Sequence, residues 1–370
     1  MKMSDDPPLF VLDGGLGTTL EDLFGQRFSS STTPLWSSHL LVSDPHTLLA
    51  CQSAFAQAGA DILSTATYQV SLVGFAATRT ESWPHGVPAA HVGPFLEAAV
   101  RIAEQAAAAG PGRRVALSLG PYGATLVPSQ EYSGDYGATT PGELEAWHAE
   151  RLGLFLAGVS GLARRVSYVA CETIPRVDEI VSVRKAWEKT YERLGSGEGI
   201  PLWISCLFPG LGDGAVATLP DGTSAEKAVE TMLDPGLSSV VPWGIGINCT
   251  KLHKLGALVE RYEAAVRRLV EGGVVESWPA LVLYPDGTNG EVYNTTTQRW
   301  ELPAGGQRPE APWESQLADI VRATRQRGGW KAILVGGCCK TTPDHIARLR
   351  RALGGEVRNG EWPSCCPATN

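Results

Sequence analysis

Two adjacent cysteines near the C-terminus, Cys338 and Cys339, are the side chains whose type and spacing point most directly to chemistry. They follow the apolar run 332–335, which is typical of a short buried strand, and the glycines Gly336 and Gly337. Neighbouring side chains of an extended chain point in opposite directions, so both thiols can face one site only if the backbone turns, and glycine permits that turn. Two thiolates can bind a soft metal ion when other parts of the chain supply the remaining ligands.

Those ligands must come from the ends of other strands, and the sequence predicts eight pairs of strand and helix. Short apolar runs alternate with longer segments of helical periodicity. The predicted strands are 9–12, 61–65, 115–119, 166–170, 202–206, 244–247, 281–284 and 332–335. The predicted helices are 45–58, 95–109, 142–162, 177–193, 225–232, 252–270, 313–327 and 343–353.

This alternation favours a parallel sheet closed into a (β/α)8 barrel of the TIM type, because each crossover helix must cover the outside of the strands that it connects. An open doubly wound sheet is the alternative, but the glycine-rich stretch 13–17 lacks the G-x-G-x-x-G spacing of a nucleotide site. Residues 1–355 are expected to form this single domain, and the tail 356–370 is expected to be poorly ordered. Three loops look expanded and are expected to serve the active site: 129–140, 208–223 and 286–312.

Composition narrows the class of protein. With 370 residues, of which 43% are hydrophobic and 19% charged, the chain can bury a large core. Its net charge of -8 argues against a nucleic-acid partner, since backbone recognition needs clustered lysine and arginine. No signal peptide begins the chain and no apolar run approaches the ~18 residues of a membrane span, so a cytoplasmic protein is expected. In a reducing cytosol its eight cysteines are expected to be thiols or metal ligands rather than a disulfide framework.

In a barrel the reactive groups gather at the carboxyl ends of the strands. Here those ends carry Asp13, Tyr68, Glu172 and Cys249 as well as the cysteine pair. Cys249 ends the sixth strand, so three thiols can converge at the barrel mouth. Three thiolates select zinc among common cytosolic metals and leave the fourth tetrahedral position for water or a substrate, which is a catalytic arrangement. A cysteine in an apolar run is also commonly a small buried hydrophobe, and that alternative stays open for Cys249.

Asp13 and Glu172 form a second candidate group, two carboxylates at the ends of different strands. They could act as acid and base or could hold a cationic amino group. The structural alternatives are a turn residue for Asp13 and a partner of the helix dipole for Glu172. Alternation along the fourth strand aims Glu172 at the barrel centre and Cys171 away from it. No histidine lies at a predicted strand end, so a nucleophile activated by histidine has little support.

Several motifs together resemble the homocysteine S-methyltransferase family. The double-cysteine turn 336–339 and the stretch 246–249 carry the likeness jointly with five other short motifs, from about residue 10 to about residue 350. These are Leu12-Asp13-Gly14-Gly15, Gly59-Ala60-Asp61, Gly120-Pro121-Tyr122-Gly123, Gly134-Asp135-Tyr136 and Cys171-Glu172-Thr173-Ile174-Pro175. The ordered set is highly specific, whereas any single motif is weak evidence.

The resemblance implies a (β/α)8 barrel with a zinc ion (Zn2+) bound by Cys249, Cys338 and Cys339. It also implies that homocysteine supplies the fourth ligand through its sulfur, and that Asp13 and Glu172 hold its amino group. The expected reaction is methylation of the zinc-bound thiolate to give methionine.

The same matching places Asn248 and Tyr68 near the substrate, with roles that it does not define. The methyl donor in similar enzymes is S-methylmethionine or S-adenosylmethionine, both of which are sulfonium compounds. Betaine is a less favoured donor because the overall pattern resembles the sulfonium branch more, and the sequence has no cobalamin- or folate-binding extension. The alternative from another class is a zinc or thiol barrel that senses redox state without turnover. Oligomeric state stays open.

Overall fold

A computed structural model gives the fold of residues 6–29, 31–194, 199–210, 218–294, 299–302 and 311–354. The predicted tail 356–370, with Cys365 and Cys366, lies outside these described residues. None of the helices in the described ranges combines the length and the apolar character that crossing a membrane requires.

The centre of the protein is a sheet of eight parallel strands, ordered β1, β10, β7, β6, β5, β4, β3, β2. A backbone bridge between Leu12 and Ile62 brings β2 back beside β1 and closes the sheet. The predicted (β/α)8 barrel is therefore confirmed. Its strands are β1 (Leu9–Val11), β2 (Ile62–Ser64), β3 (Arg114–Leu119), β4 (Tyr168–Ile174), β5 (Leu202–Cys206), β6 (Gly244–Asn248), β7 (Ala280–Tyr284) and β10 (Ile333–Val335). A separate antiparallel hairpin, β8 (Val292–Asn294) and β9 (Arg299–Glu301), lies in the loop 286–312 and was not predicted.

Helices cover the outside of the barrel. They are α1 (Leu16–Phe24), α2 (Leu40–Ser43), α3 (Pro45–Gln57), α4 (Leu72–Ala77), α5 (Gly93–Ala107), α6 (Pro141–Gly158), α7 (Leu162–Arg165), α8 (Val177–Leu194), α9 (Ala225–Leu233), α10 (Leu252–Glu271), α11 (Trp313–Arg327) and α12 (Pro343–Leu353). The predicted helix 142–162 is wrong as a single element, because Gly161 has a φ of +64° and separates α6 from α7. The short helices α1, α2 and α4 were not predicted.

Local sequence signals fix where the main helices begin. Asp44 accepts a hydrogen bond from the amide of Thr47 at 3.1 Å, and Pro45 is the first residue of α3. At α6, Thr140 and Glu143 form a capping box, in which each side chain accepts a hydrogen bond from the other residue's amide. These caps orient the helices against the strands that they connect.

Alternate residues of the strands build two separate cores. The helix-facing side of the strands belongs to the larger core, which includes Val169 and Cys171. Large and small side chains fill the barrel interior: Phe10, Leu12, Ile62, Ala116, Tyr168, Ala170, Trp203, Ala280, Val282, Tyr284, Ala332 and Leu334. The interior is thus a packed core, so a substrate must approach from the strand ends.

The fourth strand is longer than predicted. It runs to Ile174 instead of ending at residue 170, with an irregular register against β5 between Cys171 and Ile174. Glu172 therefore lies inside the strand and not at the start of α8, so the helix-dipole interpretation of this residue is wrong. Cys171 packs in the helix-facing core, as alternation along the strand predicted.

Asp61 fastens the first two strands and the last helix together. Its Oδ2 accepts a hydrogen bond from the Val11 amide at 2.8 Å, and its Oδ1 accepts one from the Arg350 guanidinium on α12 at 2.7 Å. The same guanidinium donates to the carbonyl oxygen of Gly59 at 2.7 Å. The motif Gly59-Ala60-Asp61 is therefore structural, and it secures the barrel where β1 meets β2.

Asp61→Ala is expected to lower the free energy of unfolding by ~2 kcal/mol, because the Val11 amide loses its acceptor and Arg350 loses its counter-charge. Urea unfolding followed by circular dichroism measures this change. The matched control is Asp319→Ala, whose side chain is 75% exposed and pairs with Arg322 on the same helix. The control should change stability by less than ~0.5 kcal/mol. Equal effects of the two substitutions would show that Asp61 does not secure the barrel.

Candidate active site

Three thiols meet at the mouth of the barrel. Cys249 directly follows β6, and Cys338 and Cys339 follow β10 after two glycines. The three sulfur atoms lie within 4.8 Å of one another, although 89 residues separate Cys249 from Cys338. The Cα atoms of Cys249 and Cys338 lie 5.5 Å apart. The fold thus brings together the three sulfurs that the sequence places at separate strand ends.

The segment 284–287, which is the last residue of β7 and the loop that follows it, holds both cysteine turns by main-chain hydrogen bonds. Cys249 N donates to Tyr284 O at 3.2 Å, Cys338 N donates to Pro285 O at 2.9 Å, and Gly287 N donates to Cys339 O at 2.7 Å. An ion pair between Lys251 and Asp286, with Nζ and Oδ2 3.0 Å apart, ties the same loop to the chain after Cys249. One short loop therefore sets the spacing of all three thiols.

The two glycines before the cysteines are required by close packing. A Cβ on Gly336 would lie 2.6 Å from the Asp13 carbonyl oxygen, and a Cβ on Gly337 would lie 2.3 Å from the Thr341 hydroxyl. The left-handed conformation in this turn belongs to Lys340, which has a φ of +63°. The glycines therefore let β1 and the following turn approach closely, while Lys340 reverses the chain.

Asp13 and Glu172 face the cavity beside the thiols, and both are buried. Asp13 accepts hydrogen bonds from the amide and the hydroxyl of Ser64 at 2.7 and 3.0 Å. Burial nevertheless raises the pKa of Asp13 from 3.8 to about 6. Burial also raises the pKa of Glu172 from 4.5 to about 7; the nearby charge of Asp13 adds to this rise, and hydrogen bonds from Ser118 and Tyr284 oppose it.

Neither carboxylate is paired with a positively charged side chain among the described residues, although the charge of Arg151 acts on Glu172 and lowers its pKa. Within the described residues neither forms an ion pair with lysine or arginine, and no lysine, arginine or histidine lines the cavity. The Oε1 atom of Glu172 is buried without a hydrogen-bond partner. Buried carboxylates are stable as anions only when they are paired, so this arrangement suits a ligand that brings its own ammonium group.

Asn248 and Tyr68 occupy different positions relative to the cavity. Asn248 is fully buried and holds Thr173: its Oδ1 accepts from the Thr173 amide at 2.9 Å, and its Nδ2 donates to the Thr173 hydroxyl at 2.7 Å. It does not line the cavity, whereas Thr173 does. Tyr68 lines the cavity, and its ring packs on Gly120, where a Cβ would lie 2.7 Å from the ring. Asn248 therefore fixes the position of Thr173 at the cavity wall.

The sequence profile of the homocysteine S-methyltransferase family matches residues 10–353. The chain belongs to the homocysteine S-methyltransferase family. A homocysteine S-methyltransferase of Escherichia coli (strain K12) is 31% identical over 349 residues, covering 94% of this chain and 96% of that protein. The homocysteine S-methyltransferase YbgG of Bacillus subtilis is 30% identical over 359 residues, covering 93% and 94% of the two chains.

Solved structures agree with this family. The metallated form of the homocysteine methyltransferase MmuM from Escherichia coli matches with a TM-score of 0.65 at 28% identity, covering 94% of this chain and 97% of MmuM. The oxidised form of MmuM matches with a TM-score of 0.64 at 27% identity, covering 93% and 95%. The protein is therefore an enzyme of the homocysteine S-methyltransferase family with the family's barrel fold.

Among the side chains that line this cavity of about 100 Å³, sequence reasoning missed Trp36, Glu131 and Tyr132. The Tyr132 hydroxyl lies 4.0 Å from the Cys339 sulfur. Glu131 and Tyr132 belong to the loop 129–140, whose length indicated an active-site role, but no pattern distinguished them within it. Nothing in the sequence distinguished Trp36.

Backbone strain concentrates around the cavity. Five non-glycine residues in the described ranges have a positive φ, and three of them line the cavity: Trp36 at +48°, Thr173 at +61° and Cys249 at +46°. A fourth, Lys340, directly follows the cysteine pair. Such conformations persist where the surrounding structure enforces them, and they are typical of functional sites.

The uncompensated charge at Glu172 predicts an unusual effect on stability. Folding raises the pKa of Glu172 from 4.5 to about 7, so its stabilising contribution is full below pH 4.5 and is lost as the pH rises through 7. Glu172→Gln removes the buried charge. At about pH 8 it should stabilise the ligand-free protein by roughly 2 kcal/mol, and at about pH 5 by much less. Thermal unfolding at both pH values measures the difference.

Glu188→Gln is the control of opposite sign. Hydrogen bonds from Ser239 and Ser238 lower the pKa of Glu188, so removal of its charge should not stabilise the protein. A Glu172→Gln protein no more stable than wild type at the higher pH would show that ligand-free Glu172 is not a buried uncompensated charge.

Proposed function

We propose that the protein is a zinc-dependent homocysteine S-methyltransferase that moves a methyl group from a sulfonium donor, S-methylmethionine or S-adenosylmethionine, to homocysteine and gives methionine. The observation that carries this proposal is one cavity in which Cys249, Cys338 and Cys339 lie beside Asp13 and Glu172. Thiolates suit a soft metal with an open position for sulfur, and unpaired carboxylates suit an amino group. Homocysteine carries both complementary groups.

The donor set fits zinc. Cys249, Cys338 and Cys339 offer three sulfurs within 4.8 Å of one another, from turns that one loop holds in place. When bound, a zinc ion in a three-thiolate site would lower the pKa of the homocysteine thiol, which is ~8.5 for a free thiol, and keep the sulfur nucleophilic. The similar protein MmuM has been solved in a metallated form, which supports this assignment.

Asp13 and Glu172 would bind the homocysteine ammonium. Ser64 fixes the orientation of Asp13, and the unpaired Oε1 of Glu172 is free to accept a hydrogen bond from a ligand. A bound ammonium favours the charged form of both carboxylates and so reverses the effect of burial on their pKa values. Asn248 would act by holding Thr173 at the cavity wall, and Tyr68 by supplying part of that wall.

The methyl transfer itself needs no general base in the active site. The homocysteine thiolate attacks the methyl carbon of the sulfonium in line, a new sulfur–carbon bond forms, and the old one breaks with its electron pair moving to the donor sulfur. Homocysteine becomes methionine, and the donor leaves as a neutral thioether, so charge and atoms balance. The residues contribute binding and alignment of the two sulfurs.

Two alternatives remain distinguishable. Betaine is a second possible donor, since a quaternary ammonium is a methylated cation of similar charge. A thiol barrel that senses redox state is the non-catalytic alternative, and the observation that favours it is the approach of the three cysteine sulfurs to within 4.8 Å of one another. We place the enzyme in the cytoplasm, where thiols stay reduced, and assign residues 1–355 to one domain.

Purified protein is expected to contain about one zinc ion per chain, and Cys249→Ser is expected to lose both the metal and the activity, because two thiolates cannot complete the site. Mass spectrometry of the metal content and an assay of methionine formation measure the two effects. Cys206→Ala is the matched control, since Cys206 is a buried thiol in the helix-facing core. Full activity in metal-free protein would contradict the zinc mechanism.

The same assay, with homocysteine and S-methylmethionine, S-adenosylmethionine or betaine in turn, separates the alternatives. Methionine formed with a sulfonium supports the proposed function, and methionine formed with betaine alone would replace the donor. Zinc release on oxidation, without methionine formation from any donor, would support the redox sensor instead.

Glu172→Ala is expected to raise the KM for homocysteine by about tenfold or more, since a partly buried ion pair with the ammonium is lost. Zinc content should not change, because Glu172 is not a metal ligand. An unchanged KM for homocysteine would refute the amino-group assignment while leaving the metal site intact.

A further inference from the structure

A second group of side chains lines the same cavity in addition to the thiols, Asp13 and Glu172. It consists of Trp36, Tyr68, Glu131 and Tyr132, and we call it the rim cluster. The Tyr68 hydroxyl donates a hydrogen bond to Glu131 Oε2 at 2.6 Å. The rings of Trp36 and Tyr68 meet edge to face, with centroids 6.2 Å apart. The rim cluster therefore combines aromatic surface with one carboxylate close to the thiols.

The described residues supply no cation as a partner of Glu131. Within the described residues no lysine or arginine forms an ion pair or hydrogen bond with it, and Tyr68 is its hydrogen-bond donor. Burial raises its pKa, so the negative charge is costly in the absence of a positive group. A carboxylate bonded to a tyrosine can still approach a cation with its second oxygen.

A buried carboxylate, that of Glu179, holds the loop that carries Glu131 in place by hydrogen bonds. Glu179, which is fully buried on α8, accepts hydrogen bonds from the Tyr122 amide and the Tyr136 hydroxyl, both at 2.6 Å. His148 Nε2 lies 3.0 Å from the same carboxylate. Both ends of the segment between Tyr122 and Tyr136 are thus fixed to one helix. The fold itself therefore determines the position of Glu131.

The position of Tyr68 is likewise fixed by a buried charged side chain, that of Arg151. Arg151 is buried on α6 and donates to the carbonyl oxygens of Gly120 at 2.7 Å and Thr67 at 3.0 Å. These contacts hold Gly120 in close packing against the Tyr68 ring and so hold the ring at the cavity. The carboxylate and its aromatic neighbour are therefore preorganised rather than dependent on a ligand for their placement.

We propose that the rim cluster is the methyl-donor subsite and that Glu131 is the counter-charge for the onium centre of the donor. This proposal rests on the proposed function and names the second substrate's binding residues. The ligand class is a permanently charged methylated onium, because a carboxylate and ring faces attract such a cation without needing a proton donor from it. The Tyr132 hydroxyl lies 4.0 Å from the Cys339 sulfur, so this subsite borders the thiols beside which homocysteine would bind under the proposed function.

The reaction chemistry makes the kinetic signature of Glu131 distinctive. The positive charge of the donor disappears as the methyl group moves to the thiolate, so a counter-charge stabilises the bound donor more than the transition state. Removal of the charge should therefore weaken donor binding without slowing the bound complex. A residue that only supported the loop would instead reduce kcat or the amount of folded enzyme.

Glu131→Gln in the zinc-loaded enzyme tests the proposal. The KM for S-methylmethionine is expected to rise about tenfold or more, with kcat unchanged or increased. The KM for homocysteine and the zinc content should stay at the wild-type values. Tyr68→Phe, which keeps the ring and removes the hydroxyl, should raise the donor KM by a smaller factor.

Asp135→Asn is the matched control. Asp135 is exposed in the same loop, accepts a hydrogen bond from the Gly137 amide at 3.1 Å, and does not line the cavity. It should leave both KM values unchanged, so a general effect of lost negative charge on a cationic donor would be detected. Parallel arms with S-adenosylmethionine and betaine show which onium the subsite accepts.

The outcomes separate the two proposals. If the wild-type enzyme makes methionine but Glu131→Gln leaves the donor KM unchanged, or lowers kcat alone, the donor subsite is overturned and the proposed function stands. If Glu131→Gln and Asp135→Asn raise the donor KM equally, long-range charge explains the effect and the subsite is overturned. If wild type makes methionine from no onium donor, the proposed function fails.

Discussion

Buried negative charge in the cavity is the constraint on which the whole site depends. Asp13, Glu172 and Glu131 line one cavity with three cysteines, and none of the three carboxylates is paired with lysine or arginine in the part of the chain that the structure describes. Burial raises the pKa of all three. Such a site destabilises the ligand-free protein, and it is stabilised by any cation that binds the folded state alone. A metal ion, an ammonium and an onium are the three cations that the proposed reaction brings to it.

The barrel must therefore hold these charges in place by contacts that lie outside the cavity. The loop 284–287 fixes the cysteine turns through main-chain hydrogen bonds, and Asn248 fixes Thr173 from behind the cavity wall. Glu179 and Arg151 fix the segments that carry Glu131 and Tyr68 in the same way, by hydrogen bonds. The strained backbone at Trp36 and Cys249 shows where this scaffold enforces a position that the local sequence does not favour. The hydrophobic cores on both faces of the sheet supply the stability that these positions require.

The sequence predicted the parts of the site that parallel strands place by rule. Alternating strands and helices predict a barrel, and a barrel places the carboxyl ends of all its strands at one mouth. The proximity of Cys249 to the pair Cys338 and Cys339 could therefore be predicted. The features of the site that the sequence did not predict depend on contacts between distant segments of the chain. Glu131 faces the cavity because Glu179 holds its loop, and no local sequence pattern indicates the contact between Glu179 and that loop. The glycines before Cys338 were read as the residues that turn the chain, but close packing requires them, and Lys340 takes the left-handed conformation.

The division between strand ends and loops has a functional consequence. Asp13, Glu172 and the thiols lie on or directly beside barrel strands, where the position of a side chain is fixed by the sheet. Glu131 and Tyr132 lie in a loop and Trp36 begins a short 3-10 helix, and these connecting segments can change in length and sequence without moving a strand. We infer that the groups on the strands and at their ends recognise homocysteine and that the rim cluster, which lies on the connecting segments, recognises the methyl donor. A carboxylate and aromatic rings attract any onium, so discrimination between a sulfonium and a quaternary ammonium must come from the shape that these loops give to the cavity.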